Sequence, residues 1–284
     1  MWILGCGYIG QWLARTYLDI GYSVTAVTRS EASRLVLAGL GLRALARDLS
    51  TDPLADLDWA GDELFHLAPP PPFGVEDRLT RHLVESFRHT GHPRRLVYMS
   101  TTGVYGDCGG DWVDETRPAA PVADRAVRRW DAEETLRAWS RESGTDLVIL
   151  RVAGIYGPGR LPLERIRQGL PLAREEDSPW SNRIHAADLV GACVTAMERG
   201  GPGRVYNVCD GHPSTMTDYF LRVADAAGLP RPPQVSLSTA AAVLSAGMMS
   251  YLAESRRLSN RRLREELGLI PRYPDLATGL PSCF

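Results

Sequence analysis

The six residues GCGYIG, positions 5 to 10, constrain this chain more than any other stretch. They follow a short apolar run, MWIL, and open an amphipathic stretch, YIGQWLARTYLDIG, that closes on Gly21. That order is strand, turn, helix. Glycines at 5, 7 and 10 permit a tight turn, let backbone N–H groups approach a pyrophosphate and allow close packing of helix on strand. The spacing alone is common; between a strand and a helix at the start of a βαβ unit it predicts dinucleotide binding by Gly5, Gly7, Tyr8, Ile9 and Gly10, and a bare structural turn is the competing reading.

The alternation continues. YSVTAVTRS reads as a second strand, ASRLVLAGL as a helix, LRALARDLS as a third strand and DELFHLAPPPP as a fourth. Leu79, Leu83 and Phe87 recur at helical spacing in the next helix. RRLVYMSTTGVYG is a fifth strand, a helix spans 124 to 143, and TDLVILRVAGIYGPG is a sixth strand. Helices near 186–199, 215–228 and 238–253 and a strand at RVYNVCD complete the pattern. It predicts an α/β fold, a Rossmann-type doubly wound parallel sheet with a smaller C-terminal α/β substrate lobe and ligands bound outside the carboxyl ends of the strands. Residues 1–155, with parts of 184–210, form the expected cofactor domain; 156–183 and 211–284 form the lobe.

Bulk properties remove other classes. A net charge of −2 and a pI near 6.3 carry no basic excess for nucleic acid or anionic lipid. Five scattered cysteines without a C-x-x-C or a paired-histidine spacing predict reduced thiols, a cytoplasmic location and no metal site. No leader is expected ahead of the first strand, and AAAVLSAGMM is too short to span a bilayer.

The second strand ends in VTRSEASR, where an acidic residue holds the ribose of NAD or an arginine holds the extra phosphate of NADP. Thr28 and Arg29 stand there. A guanidinium grips a 2′-phosphate that a carboxylate would repel, so NADP (NADPH) is expected over NAD, with a solvated Arg29 and Glu31 on the ribose as the alternative. Asp48, after the third strand, is a candidate for the adenine amino group or a plain loop residue.

These residues, with FHLAPP, VYMSTTGVYGD followed by VDETRP, LRVAGIYGPGR, NRIHAADLVGA, VYNVCDG and RRLSNRRLREELGL, resemble the extended short-chain dehydrogenase/reductase superfamily, in its nucleotide-sugar epimerase/dehydratase-like branch. The resemblance runs through the whole chain in order. It implies Leu67, Ala68 and Pro69 beside the cofactor, Ser100 and Thr101 at the catalytic serine/threonine position, Gly157 and Pro158 near the nicotinamide, Arg183 and His185 facing the substrate cleft, and a homodimer formed by the helices around 76–90 and 124–143. Two departures mark an atypical member. The first glycine of the branch's usual turn would fall on Leu4. The Tyr-x-x-x-Lys acid/base pair falls on Arg125 and Arg129, counted back from DAEETL.

At about 100° per residue Arg125 and Arg129 lie on the side of Ala132, Leu136 and Trp139, with Arg128 at the edge of that stripe. They either snorkel to water past the core or point into the cleft. A guanidinium does not give up its proton at neutral pH, so within the cleft they imply recognition of a carboxylate or phosphate and a small anionic substrate. Thr101 offers a hydrogen bond to a carbonyl. Tyr105, Asp107, Asp124, Tyr156 and His185 are candidate proton carriers, each with an ordinary reading as packing, loop or capping residue, Asp124 as the N-cap of its helix. The expectation is an NAD(P)-dependent epimerase/dehydratase- or reductase-like enzyme with an altered active site; a non-catalytic NADP(H)-binding sensor or partner-binding protein is the alternative.

Overall fold

Strand residues alternate between the two faces of a sheet, and here each face meets its own pair of helices. The computed structural model describes residues 1–241, 244 and 246–284. Seven strands, β1 (Trp2–Leu4), β2 (Thr25–Thr28), β3 (Arg43–Ala46), β4 (Glu63–His66), β5 (Arg95–Thr101), β6 (Asp146–Val152) and β7 (Val205–Val208), form one parallel sheet in the order 3-2-1-4-5-6-7. The first seven α-helices are α1 (Tyr8–Asp19), α2 (Glu31–Gly39), α3 (Arg78–Thr90), α4 (Asp124–Ser143), α5 (Leu163–Arg167), α6 (Ala186–Arg199) and α7 (Met216–Ala226), and short helices follow them. Trp2 of β1 pairs with Thr25 on one side and Leu64 on the other. The strand order reverses there, which opens a crevice at the carboxyl ends.

Ile3, Val97, Met99, Val148 and Leu150 pack with Leu13, Ala14, Leu189 and Ala192 from α1 and α6. Their neighbours Trp2, Leu4, Leu96, Tyr98, Leu147 and Ile149 pack with Leu83, Phe87, Leu136 and Trp139 from α3 and α4. Coverage on both faces explains why the strands read as continuous apolar runs rather than alternating ones.

The third and fourth strands stop at Ala46 and His66, earlier than their apolar text suggested. Asp48 takes hydrogen bonds from the Ser50 N–H and hydroxyl and makes a turn, and the prolines that follow Ala68 have no N–H for a ladder. Helix α4 begins at Asp124, so the N-cap is Ala123, which makes no side-chain capping bond. The expected capping role of Asp124 is therefore not realised, although a carboxylate in the first turn still suits the helix dipole. Of the helix expected over 238–253, Leu237–Ala241 and Ala246–Leu252 are helical; residues 242, 243 and 245 lie outside the described ones.

The C-terminal lobe has its own core, including Tyr156, Ile166, Leu172, Tyr219, Phe220 and Leu280. Short ladders tie it to the sheet domain: Gly154–Tyr156 with Arg183–His185, and Trp112–Val113 with Arg257–Leu258. All five cysteines are buried and free. Among the described residues no helix is long and apolar enough to cross a membrane, and no cluster of three metal-ligating side chains occurs.

Candidate functional site

Two hollows border the start of α1. The outer one, about 480 Å³, is lined by Gly5 and Gly7 of the glycine turn, Thr28, Arg29 and Ser30 after β2, Asp48 after β3, and Ala68 and Pro69 after β4. Gly5 sits at φ +79°, and a Cβ there would lie 2.5 Å from the Ala68 backbone, so the turn demands glycine. Gly10 is tight for a different reason, with Cys6 Sγ and Gly5 O each 3.3 Å from a hypothetical Cβ. Gly7 is roomy: nothing comes nearer than Gly5 O at 4.0 Å. Internal packing explains Gly5 and Gly10 but not Gly7, where the space beside the backbone is open. The first-turn amides of α1 have no intrahelical acceptors, and Gly7 brings no side chain to cap them. This cradle fits a dinucleotide pyrophosphate.

At the far end of that groove Arg29 is exposed and takes part in no ion pair among the described residues. Glu31, the competing acid, is held by Arg34 through three hydrogen bonds of 2.6–2.8 Å. Those bonds pull the Glu31 carboxyl below its ordinary range. Asp48 is likewise lowered by its bonds from Ser50. Leu67 departs from expectation: its side chain is buried in the α1/α6 face of the core, because it follows His66 on the opposite side of the strand end.

The inner hollow, about 490 Å³, lies between the carboxyl ends of β5 and β6 and the C-terminal lobe. Tyr8 and Ile9 line it, as do Thr101, Arg125 and Arg183. Gly157 and Pro158 stand behind Tyr8, whose hydroxyl donates to Pro158 O at 3.0 Å; a Cβ on Gly157 would lie 2.8 Å from that hydroxyl. Three arginines stack on three tyrosines around this pocket: Arg125 on Tyr251 at 4.0 Å, Arg183 on Tyr219 at 4.2 Å and Arg160 on Tyr8 at 4.7 Å. Arg183 is buried, donating to Asn182 O at 2.9 Å and Met216 Sδ at 3.3 Å. Burial pulls its pKa down, against the opposing influence of Tyr219 and Asp210. Arg256 also lines the pocket but is paired with Glu254, both contacts at 3.0 Å. With Glu254 the single acid among the described residues of the lining, four guanidiniums leave the wall strongly positive.

The clustered arginines of α4 do not snorkel to water, and they part company. Arg125 reaches across to the lobe, donating to Ser250 Oγ and lying 3.8 Å from Glu254. Arg128 is buried and donates to Gly74 O at 2.5 Å. Arg129 donates to Met99 O at 2.9 Å, Tyr98 Oη at 3.2 Å and Ala68 O at 3.3 Å. Its guanidinium ties together the ends of β4 and β5 and lines neither hollow.

Several other expected site residues are structural. Ser100 faces α4, on the side of Leu96 and Tyr98, and donates to the fully buried Glu133 at 2.6 Å. Arg151, on the same face of β6, completes that network at 2.8 Å. Tyr105 is buried with its hydroxyl on Asn207 Oδ1 at 2.7 Å, and burial pushes its pKa up to about 12. Tyr156 is buried and donates to Asp275 O at 3.3 Å. His185 caps α6, Nδ1 accepting from the Ala187 N–H at 3.2 Å, with Ser282 Oγ 3.1 Å from Nε2. It lines neither hollow. Asp107 accepts from the Ser255 and Gly109 N–H groups, as a loop residue does. Thr101 is one residue out of phase with Ser100 and faces the pocket, its Oγ1 accepting from the Gly103 N–H at 3.2 Å. Arg160, Tyr251, Glu254 and Arg256 were not anticipated; Arg160 stood in the quoted GPGR, whereas the apolar text around Tyr251 gives no sign of a site.

Comparisons with known proteins bear on the fold and the family. The chain is 30% identical to Protein YeeZ of Escherichia coli (strain K12) over 96% of each chain. The structure of a functionally unknown conserved protein from Silicibacter pomeroyi DSS superposes with a TM-score of 0.83 at 31% identity, covering 99% of this chain and 96% of that one. The UDP-glucuronic acid 4-epimerase of Bacillus cereus, solved in complex with NAD, shares the fold with a TM-score of 0.78 at 19% identity over 99% and 97% of the two chains. The model of the NAD dependent epimerase/dehydratase family matches residues 1–209, and the chain belongs to that family.

Proposed function

We propose that this protein is an NADP-dependent oxidoreductase-type enzyme acting on the carbonyl or carbinol of a small anionic substrate. The observation that carries this reading is the inner pocket wall, in which Arg125, Arg160 and Arg183 stack on tyrosines and Glu254 is the single acid among the described residues. Stacking fixes the plane of each guanidinium, and Arg160, whose guanidinium makes no hydrogen bond to another described residue, presents its N–H edge to a carboxylate or phosphate. The outer groove supports the cofactor half: the α1 start would hold the pyrophosphate, and Arg29 would hold the 2′-phosphate because Glu31 is occupied by Arg34. When bound, the nicotinamide supplies or accepts the hydride. Thr101 keeps its O–H free to donate to a substrate oxygen, since its oxygen accepts from Gly103.

A non-catalytic NADP(H)-responsive protein is the second reading. It is favoured by Arg129, whose bonds to Ala68, Tyr98 and Met99 leave it in a structural role at the position corresponding to the family lysine. Titration with NADPH and NADH, followed by NADPH oxidation assays with carboxylated and phosphorylated aldehydes and ketones and with nucleotide-linked keto sugars, separates the two. NADPH binding with substrate-dependent oxidation supports the enzyme. Binding without redox change toward any probe supports the sensor.

A further inference from the structure

We infer that Tyr251 is the proton donor of the inner pocket and that Arg125 is the positioning residue that holds it there; this rests on the oxidoreductase reading above. A proton donor must line the pocket, carry a proton acidic enough to pass to a developing alkoxide, keep that proton away from internal acceptors and reach solvent for its replacement. The pocket arginines fail the second demand, because a guanidinium stays charged at neutral pH. Tyr8 commits its hydroxyl to Pro158 O. Tyr219 is 7% exposed beneath Arg183, without ready access to bulk water. Glu254 is buried and held by Arg256 through two contacts. Thr101 is an aliphatic alcohol, suited to donating a hydrogen bond but too weak an acid to surrender its proton.

Tyr251 meets all four demands. It lines the same pocket as Thr101, is 50% exposed, and its hydroxyl makes no hydrogen bond to another described residue. Arg125 grips its surroundings from the opposite wall: the guanidinium lies 4.0 Å from the Tyr251 ring centre, donates to Ser250 Oγ, lies 3.5 Å from Ser250 O and 3.8 Å from Glu254. The arginine on α4 thus brings a tyrosine from the C-terminal lobe into the cleft.

In reduction, the carbonyl carbon gains a C–H bond with the hydride that NADPH supplies. The C=O π pair moves onto oxygen, and that oxygen takes the Tyr251 phenol proton. The products are an alcohol, NADP⁺ and a phenolate, which water at the exposed edge of the ring reprotonates.

Tyr251→Phe removes the hydroxyl and keeps the stacked ring. With NADPH and two probes, 2-oxoglutarate and glyceraldehyde 3-phosphate, kcat is expected to fall about 10²–10⁴-fold, with the NADPH Kd unchanged as the check on folding. A second readout needs no turnover: nitration of Tyr251 by tetranitromethane, mapped by peptide mass spectrometry, is expected to be suppressed by NADP⁺ together with 2-oxoglutarate. If the wild-type protein oxidises NADPH with neither probe nor any nucleotide-linked keto sugar, the oxidoreductase reading falls and the proton donor with it. If the wild type turns over and Tyr251→Phe retains its kcat, or if ligand leaves nitration unchanged, the tyrosine assignment alone is overturned.

Discussion

Removing the Ser100 hydroxyl separates a structural serine from a catalytic one. Ser100 and Arg151 both face α4 and converge on Glu133, whose side chain is fully buried. The carboxylate accepts from Ser100 Oγ at 2.6 Å, from Arg151 Nη2 and Nε at 2.8 and 3.1 Å, and from Arg137 at 3.3 Å. In Ser100→Ala one hydrogen bond to a charged group is lost while both Glu133 oxygens keep arginine partners, a cost of about 1.5–3 kcal/mol. In Glu133→Ala, Arg151 is left buried against the Tyr105 and Trp130 rings at 4.7 and 5.6 Å, with no carboxylate, at a cost of about 3–5 kcal/mol. That is a third or more of the stability of an ordinary domain, about 5–15 kcal/mol. Urea unfolding followed by both tryptophan fluorescence and circular dichroism measures each loss, and Glu133→Ala/Arg151→Met should cost less than the sum of its single changes. The reasoning is refuted if Ser100→Ala unfolds at the wild-type urea concentration, or if it abolishes turnover as completely as Thr101→Ala does.

Arg29→Ala should raise the NADPH Kd by about 10–100-fold, the worth of a charge-assisted contact, and leave NADH binding unchanged in the same fluorescence titration. Gly5→Ala places a methyl group 2.5 Å from the Ala68 backbone at φ +79°; left-handed strain and overpacking together should cost about 2–5 kcal/mol, read as a lowered Tm. Burial lifts the Asp210 carboxyl to about 7, above its unfolded value near 3.9. Its stabilising contribution is therefore full below about pH 4 and is lost as pH rises through 7, at up to about 1.4 kcal/mol per pH unit. Asp210→Asn lacks that loss, so variant and wild-type unfolding free energies should diverge in the variant's favour between those values.

What could be read from the sequence was what short-range periodicity controls. The strands announced themselves because helices cover both sheet faces, and the glycine turn because Gly5 and Gly10 are packing requirements of strand, turn and helix. The same period of two also contained the distinction between Ser100 and Thr101: Leu96, Tyr98 and Ser100 share one face, and Val97, Met99 and Thr101 the other. Reading the pair as one motif concealed it. His185 was lost to a local competitor, the cap of α6. Contacts between residues distant in the chain had no such signal. Arg125 meets Ser250 and Tyr251 because the C-terminal lobe folds back across the cleft, and apolar text gives no register for that return.

The three arginines of α4 show how far a helical wheel can carry an argument about function. A wheel places Arg125 and Arg129 on one side, and the structure agrees, yet they do different work. Four residues are about 6 Å along a helix axis. The amino end of α4 stands at the carboxyl edge of the sheet, so that rise decides what each guanidinium can touch. Arg125, in the first turn, overhangs the strands and meets the lobe and the pocket. Arg129, a turn deeper, lies over the ends of β4 and β5 and donates to their carbonyl groups and to Tyr98. The two arginines are therefore not two anion clamps: one is a fastening within the sheet domain and the other a cation at the mouth of the cleft, stacked on a tyrosine from another part of the chain.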